Sequence, residues 1–396
     1  MTQPILLRGI TWGHTRGFVP MVATAQRYRE LHPEMQISWQ TRSLQDFADQ
    51  SVAALARDFD LLVIDHPSIG EAAAAGLFLP LDEFVPEDFL DDQATHSVGA
   101  SHRSYHMLGQ QWALAIDAAS PVSAARLDLR ERHDCDIPAT WAELIALARR
   151  GLVAFAGLPL DCLMHWYGLC LNEGEAPFRE PGRIVGREAG LAALDALAEL
   201  VAACGPECLE RNPIAAYELL TSGDAFLYSP FAYGYSNYAR RSTVAQPLHF
   251  GGLVSRRGKA LVSTLGGAGL AVSAQCKSVP QAVDYARFVA GAEVQRGLYT
   301  ASGGQPGHRS AWTDAENNRI SQDFFANTLP TLDAAFVRPR YPGYIEFQER
   351  APQVMGRFLR HEDSAVATLA ALDDLDRRHR RGVVDETVCF TLKGLA

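Results

Sequence analysis

Three short segments gather the side chains best suited to hold a small polar molecule. Trp12-Gly13-His14-Thr15-Arg16 places a ring, an imidazole and a guanidinium around a glycine turn. An arginine fork grips a carboxylate through two parallel N–H bonds, and histidine donates or accepts near neutral pH. Asp65-His66-Pro67 closes an apolar run with two polar groups, although His66 serves equally well as a cap for the helix that follows. Residues 228–238 hold four tyrosines and a phenylalanine within eleven positions. A tyrosine offers a flat apolar body with a polar tip, which suits stacking on a sugar face. One or two of these rings must pack inward, and Tyr233 and Tyr235 are the expected contacts. Gly303-Gly304-Gln305 can fold over the same molecule. Trp112 and Trp166 are further candidates, with core packing at least as good a reading for each. All of this is the chemistry of recognition, with no bond made or broken.

Signatures of catalysis fall short. Gly267-Ala268-Gly269-Leu270-Ala271-Val272 mimics a dinucleotide fingerprint, but Val272 replaces the third glycine and the run opens a strand instead of following one. Residues 252–260 approach a phosphate-binding loop, yet the spacing to Gly258-Lys259 is too long and Ala260 stands where a Mg²⁺-binding hydroxyl belongs. His102 and His106, like Cys204 and Cys208, stand four apart, but neither pair has a second pair to complete a metal site. No cofactor, no metal and no enzymatic activity are therefore expected. An enzyme remains the rival reading, because fold does not fix function, and His14, Asp65, His66 and Cys162 are the residues that would have to carry it.

These groups need elements to hold them. Residues 5–12 are apolar with β-branched content and read as a strand, and a helix over residues 18–31 ends before Pro33. Residues 35–40 read as a second strand, 45–56 as a second helix, and 60–65 as a strand buried on both faces. The β-α-β-α-β order implies a parallel sheet with right-handed crossovers. Thr140 with Glu143 forms a capping box for a helix running to Arg150. Further helices are expected over residues 69–75, 186–204 and 215–220, with a strand over 225–229. Another strand, residues 269–273, precedes a helix with Pro280 in its first turn. Open α/β sheets bind ligands at the carboxyl ends of their strands, where the first two polar segments lie.

Bulk properties agree with a binding role. A chain of 396 residues is comfortable as two compact domains. Thirty-six basic against 46 acidic side chains give a formal charge of -10, which repels phosphate backbones, so no nucleic acid partner is expected. No apolar stretch approaches the ~20 residues of a membrane helix. Seven cysteines, among them Cys389, form no framework pattern and read as reduced thiols. Residues 1–8 lack a basic-then-apolar leader, so the chain as written reads as cytoplasmic, or as periplasmic or extracellular if a signal has been removed.

The ordered set of motifs resembles the sugar-type family of extracellular solute-binding proteins that serve ABC importers. Ile10-Thr11-Trp12-Gly13-His14 matches the family's opening strand and loop, and residues 76–82 match its Gly-hydrophobic-Leu-x-Pro-Leu-Asp passage. Residues 138–144 match a Pro-x-Thr-Trp-x-Glu-Leu helix start, and Gly223-Asp224-Ala225-Phe226 a strand entry. Gly266-Gly267, Tyr285 to Phe288, Glu293 to Gln295 and Gly303 to Pro306 follow in the family's order. The resemblance implies a two-lobed α/β fold, like that of periplasmic binding proteins. Each lobe would be a mostly parallel sheet flanked by helices, with a ligand cleft between them and hinge closure. Lobe one is expected over residues 1–116 plus 266–320, and lobe two over 117–265 plus 321–396. It also implies a small polar ligand, carbohydrate or sugar acid, and an ABC permease as partner to a monomeric chain. A ligand sensor in the cytosol is the third reading. On these expectations Arg16→Ala and Tyr233→Ala would weaken ligand binding and leave the unliganded protein's melting temperature nearly unchanged.

Overall fold

The computed structural model describes residues 4–43 and 52–381. The chain forms two compact units, Met1–Ala119 with Gly266–Arg319 and Ser120–Leu265 with Ile320–Ala396. In chain order, the elements used below are β1 (Ile5–Trp12), α1 (Thr15–Leu31), β2 (Met35–Arg42), β3 (Leu61–Ile64), α2 (Glu87–Thr95), β4 (Leu114–Ala119) and β5 (Pro121–Ala125). They continue with α3 (Trp141–Arg149), α4 (Pro159–Asn172), β6 (Tyr228–Tyr233), β7 (His249–Gly251), β8 (Gly266–Val272) and α5 (Val279–Ala290).

The first unit is built on a five-stranded sheet in the order β2-β1-β3-β8-β4. β1 runs parallel to β2 and β3, while β8 is antiparallel to both β3 and β4. Two reversals return β4 to the direction of β1 and β3. All three therefore present their carboxyl ends, at Trp12, Ile64 and Ala119, along one edge of the sheet. β3 shows why the sheet is covered on both faces. Leu61 and Val63 join one apolar cluster with Leu7, Met21 and Tyr285, and Leu62 and Ile64 join another with Ile10, Leu55 and Trp112. Side chains alternate sides along a strand, so a continuous apolar run needs a core above and below. Of the helix expected over residues 45–56, only the part from Val52 lies within the described residues, where the helix Val52–Asp58 is found.

Gly267 explains the glycine run that imitates a nucleotide fingerprint. Its φ is +108°, and a Cβ there would lie 2.3 Å from the Asp117 carbonyl oxygen. Only glycine allows β8 to pass β4 so closely, just before the register shift at Ala268/Gly269. The imitation phosphate loop likewise resolves into a hairpin. Ser255–Arg256 pairs with Lys259–Ala260 around Arg257 and Gly258, both at positive φ, as a two-residue turn of this hand requires.

The second unit corrects one expectation. Its sheet, ordered β6-β5-β7, is antiparallel at both pairings, not mostly parallel. Parallel sense enters through isolated bridges, Val153 with Tyr228, Thr140 with Ser255 and Thr264 with Phe336. Hydrophobic runs mark where strands lie, but a hundred intervening residues allow either direction of return, so strand sense was not in the pattern. The helices behave as expected. Thr140 Oγ1 accepts from the Glu143 N–H while the Glu143 carboxylate accepts from the Thr140 N–H, and the box starts α3. α4 is the spine of this unit's core, with Trp166 fully buried beside Tyr167, which packs against Phe178, Phe336 and Tyr344.

Candidate functional site

The carboxyl edge of the first unit's sheet concentrates polar groups on short connections. α1 begins two residues after β1 ends, and His14 caps it, its Nδ1 accepting from the Arg16 N–H at 3.1 Å. Burial and the neighbouring Arg16 charge lower the His14 pKa to about 4, so the ring is neutral at pH 7. Trp12 turns inward beneath this turn. A Cβ on Gly17 would meet its ring at 2.3 Å, so the glycine makes room for the indole in the core.

Arg16 departs from the sequence reading. Its side chain is 4% exposed, and its Nε donates to Asp117 Oδ2 at 2.9 Å while Nη2 donates to Oδ1. The fork expected to grip a ligand carboxylate grips Asp117 instead. Burial holds the Asp117 carboxyl above the usual carboxylate range, against the opposing pull of the Arg16 guanidinium. Asp117 was missed in the sequence, although a lone charge in the buried run Leu114–Ala119 is a visible signal that a partner must exist.

Two further segments close on the same carboxylate. Gln305 is buried, its Nε2 donates to the Ala118 carbonyl at 2.8 Å, and its backbone bonds Asp117. Its carbonyl accepts from the Ala118 N–H at 2.9 Å. Gly303 has φ +93°, and a Cβ on Gly304 would strike the Tyr299 ring at 2.3 Å, so both glycines are required by the fold of this loop. Tyr299 was also missed. It is fully buried, and its hydroxyl has no hydrogen-bond partner. At the end of β3, Asp65 accepts from the His66 N–H at 2.9 Å and starts a single 3₁₀ turn, and its carboxylate is close enough to Asp117 to disfavour ionisation there. His66 is buried edge-on to Tyr105. The structure thus brings His14, Arg16, Asp65, His66 and Gln305 to one edge. Trp112 lies in the core on the Ile10 face, its indole N–H donating to the Met107 carbonyl at 2.8 Å and its main-chain N–H to the carbonyl of Tyr105, the ring His66 meets.

In the second unit the tyrosine-rich segment divides. Tyr228 is core, and Tyr238 donates to Glu218 Oε1 at 2.7 Å. Tyr235 is 4% exposed and meets Tyr217 edge-on. Tyr233, at the end of β6, stays half-buried with its hydroxyl 3.3 Å from Thr264 Oγ1. Thr264 also lines a pocket with Pro121, His165, Phe231 and Ser263. Trp166 has no exposed surface, and its indole N–H donates to the Gly190 carbonyl. Its placement is that of a core residue.

The family model for bacterial extracellular solute-binding proteins matches residues 23–323. The chain belongs to that family. Solved structures share the fold of this solute-binding protein over nearly all of their own length. T. maritima MalE3, solved with maltose, is 16% identical with a TM-score of 0.81, over 94% of this chain and 99% of that one. A solute-binding protein of Agrobacterium radiobacter in complex with ribitol is 16% identical at 0.81, over 95% and 99%. One from Thermotoga lettingae bound to tagatose is 14% identical at 0.79, over 95% and 99%. At such identities the likeness speaks for the two-lobed fold. No curated protein matches this solute-binding protein in sequence. Among its described residues, no helix is long and apolar enough to cross a membrane.

Proposed function

We propose that this solute-binding protein captures a neutral carbohydrate or polyol and delivers it unchanged to an ABC permease. The observation that carries the reading is the ligand set of its structural neighbours, which hold maltose, ribitol and tagatose. The proposed contacts in the first unit are His14, Asp65 and the loop Gly303-Gly304-Gln305, and in the second unit Tyr233 with Tyr235 beside it. Pairing of Arg16 with Asp117 argues for a neutral ligand over a sugar acid, because the guanidinium edge formed by Nε and Nη2 is already taken. Trp12, Trp112 and Trp166 then serve the core. Membership of an extracellular family supports work outside the cytoplasm.

Binding without turnover is favoured by the state of the one nucleophile among the enzyme candidates, Cys162. Burial pushes the Cys162 thiol well up, which keeps it protonated and a poor nucleophile. A thermal-shift screen of the purified chain against neutral sugars, polyols and sugar acids tests the reading, since a ligand selective for the folded state raises the melting temperature. A concentration-dependent rise with a neutral sugar or polyol, recovered unchanged, is the expected result. A hit recovered as product would replace this reading with the enzyme, and a response to sugar acids alone would overturn the neutral ligand.

A further inference from the structure

We propose that Asp92, His96 and His308 of the first unit form a zinc-binding site. Each offers one ligand atom, and the three atoms lie within 4.8 Å of one another. Two imidazoles and a carboxylate are a donor set that zinc accepts, with water completing the coordination. Tetrahedral donors at zinc bond lengths sit ~3.3 Å apart, so side-chain movements on the order of an ångström complete the set.

The donors come from distant chain segments that the fold holds together. Asp92 lies on α2 and His96 caps its end, one turn later. His308 approaches across 216 residues of sequence, its Nε2 3.3 Å from Asp92 Oδ2. His96 Nδ1 lies 2.8 Å from Asp92 Oδ1, and the His96 and His308 rings stack with centroids 5.2 Å apart. Main-chain bonds fix this arrangement. The Arg309 N–H donates to the His96 carbonyl at 2.7 Å, the Val98 N–H to the Gly307 carbonyl, and Ser97 bridges His308.

His308 is also held from its outer side. Its Nδ1 accepts from the Ser310 N–H at 3.3 Å and lies 2.8 Å from Ser310 Oγ, so when Nε2 binds metal the ring proton would move to Nδ1, where that hydroxyl can accept it. The ring is 3% exposed, which limits its freedom to turn away. The site's effect is structural. Zinc would tie α2 to the segment just beyond Gln305, bracing the loop that bonds Ala118 and Asp117. The sequence hid this cluster because only Asp92 and His96 share a helical spacing and His308 joins them in space alone.

The test is isothermal titration of the EDTA-stripped full chain with zinc chloride, repeated with cobalt(II) to read its visible bands. His96→Ala and Asp92→Asn are the test variants, and exposed His106→Ala is the control. Both test positions are part-exposed, and an unchanged metal-free melting temperature verifies that each variant folds. The expected result is one zinc per chain, weakened about 10-fold or more in either test variant and unaffected in the control. Absence of stoichiometric zinc binding by the parent chain overturns the proposal, as does binding that survives both substitutions. The outcome is independent of which solute the protein carries.

Discussion

Arg16 Nε donates to Asp117 Oδ2 at 2.9 Å, a buried contact between residues 101 positions apart. The pair locks the first turn of α1 to the end of β4, and both side chains are out of water. Removing one partner of a buried pair leaves the other charge uncompensated, at a cost of about 3–5 kcal/mol. Arg16→Ala is therefore expected to lower unliganded stability by that amount, reversing the sequence-based expectation of an unchanged melting temperature. Urea unfolding measures it, and a change below about 1 kcal/mol would show that the pair contributes little.

Tyr233 and Tyr235 separate by burial. Tyr233→Phe removes one half-buried hydroxyl at 3.3 Å from Thr264, so the unliganded protein should lose less than about 1 kcal/mol while solute affinity falls. Tyr235→Ala empties a buried ring site and should cost roughly 3–5 kcal/mol before any ligand is added. Parallel unfolding curves and ligand titrations distinguish them. Full solute affinity in Tyr233→Phe would remove its hydroxyl from the site.

His165 makes the second unit sensitive to acid. Burial lowers its pKa from the ordinary 6.5 to about 4, so the unfolded chain takes up the proton first. The stability tied to the neutral ring is present above pH ~6.5 and is lost as pH falls through about 4, a change of roughly 3 kcal/mol at most. His165→Gln should flatten this part of the stability profile between pH 7 and 4. An unaltered profile in urea unfolding at several pH values would contradict the assignment.

Gly17→Ala tests the turn that carries His14. Its new Cβ would lie 2.3 Å from the Trp12 ring, and the indole cannot yield without disturbing the core around Met21. A loss of about 1–3 kcal/mol is expected, with an altered near-ultraviolet tryptophan signal. An unshifted unfolding midpoint would show that the turn adapts.

Much of the architecture is legible in local sequence alone. The opening strand-helix alternation, the doubly buried run of β3 and the Thr140–Glu143 capping box follow from local rules of period, burial and capping, and each acts over a few residues. Candidate positions at strand ends were legible for the same reason, since His14, Asp65 and His66 follow directly on β1 and β3. What these groups do was decided only by tertiary structure. Arg16 offered a carboxylate clamp until Asp117, a hundred residues away, occupied its fork, and Tyr299 entered the same neighbourhood by way of the Gly303-Gly304 loop. The antiparallel sense of β5, β6 and β7 and the meeting of His308 with Asp92 are of the same kind. Sequence periodicity records which side of an element faces apolar surroundings. Which charge or donor arrives there from elsewhere depends on long-range closure of the chain, and no local pattern encodes it.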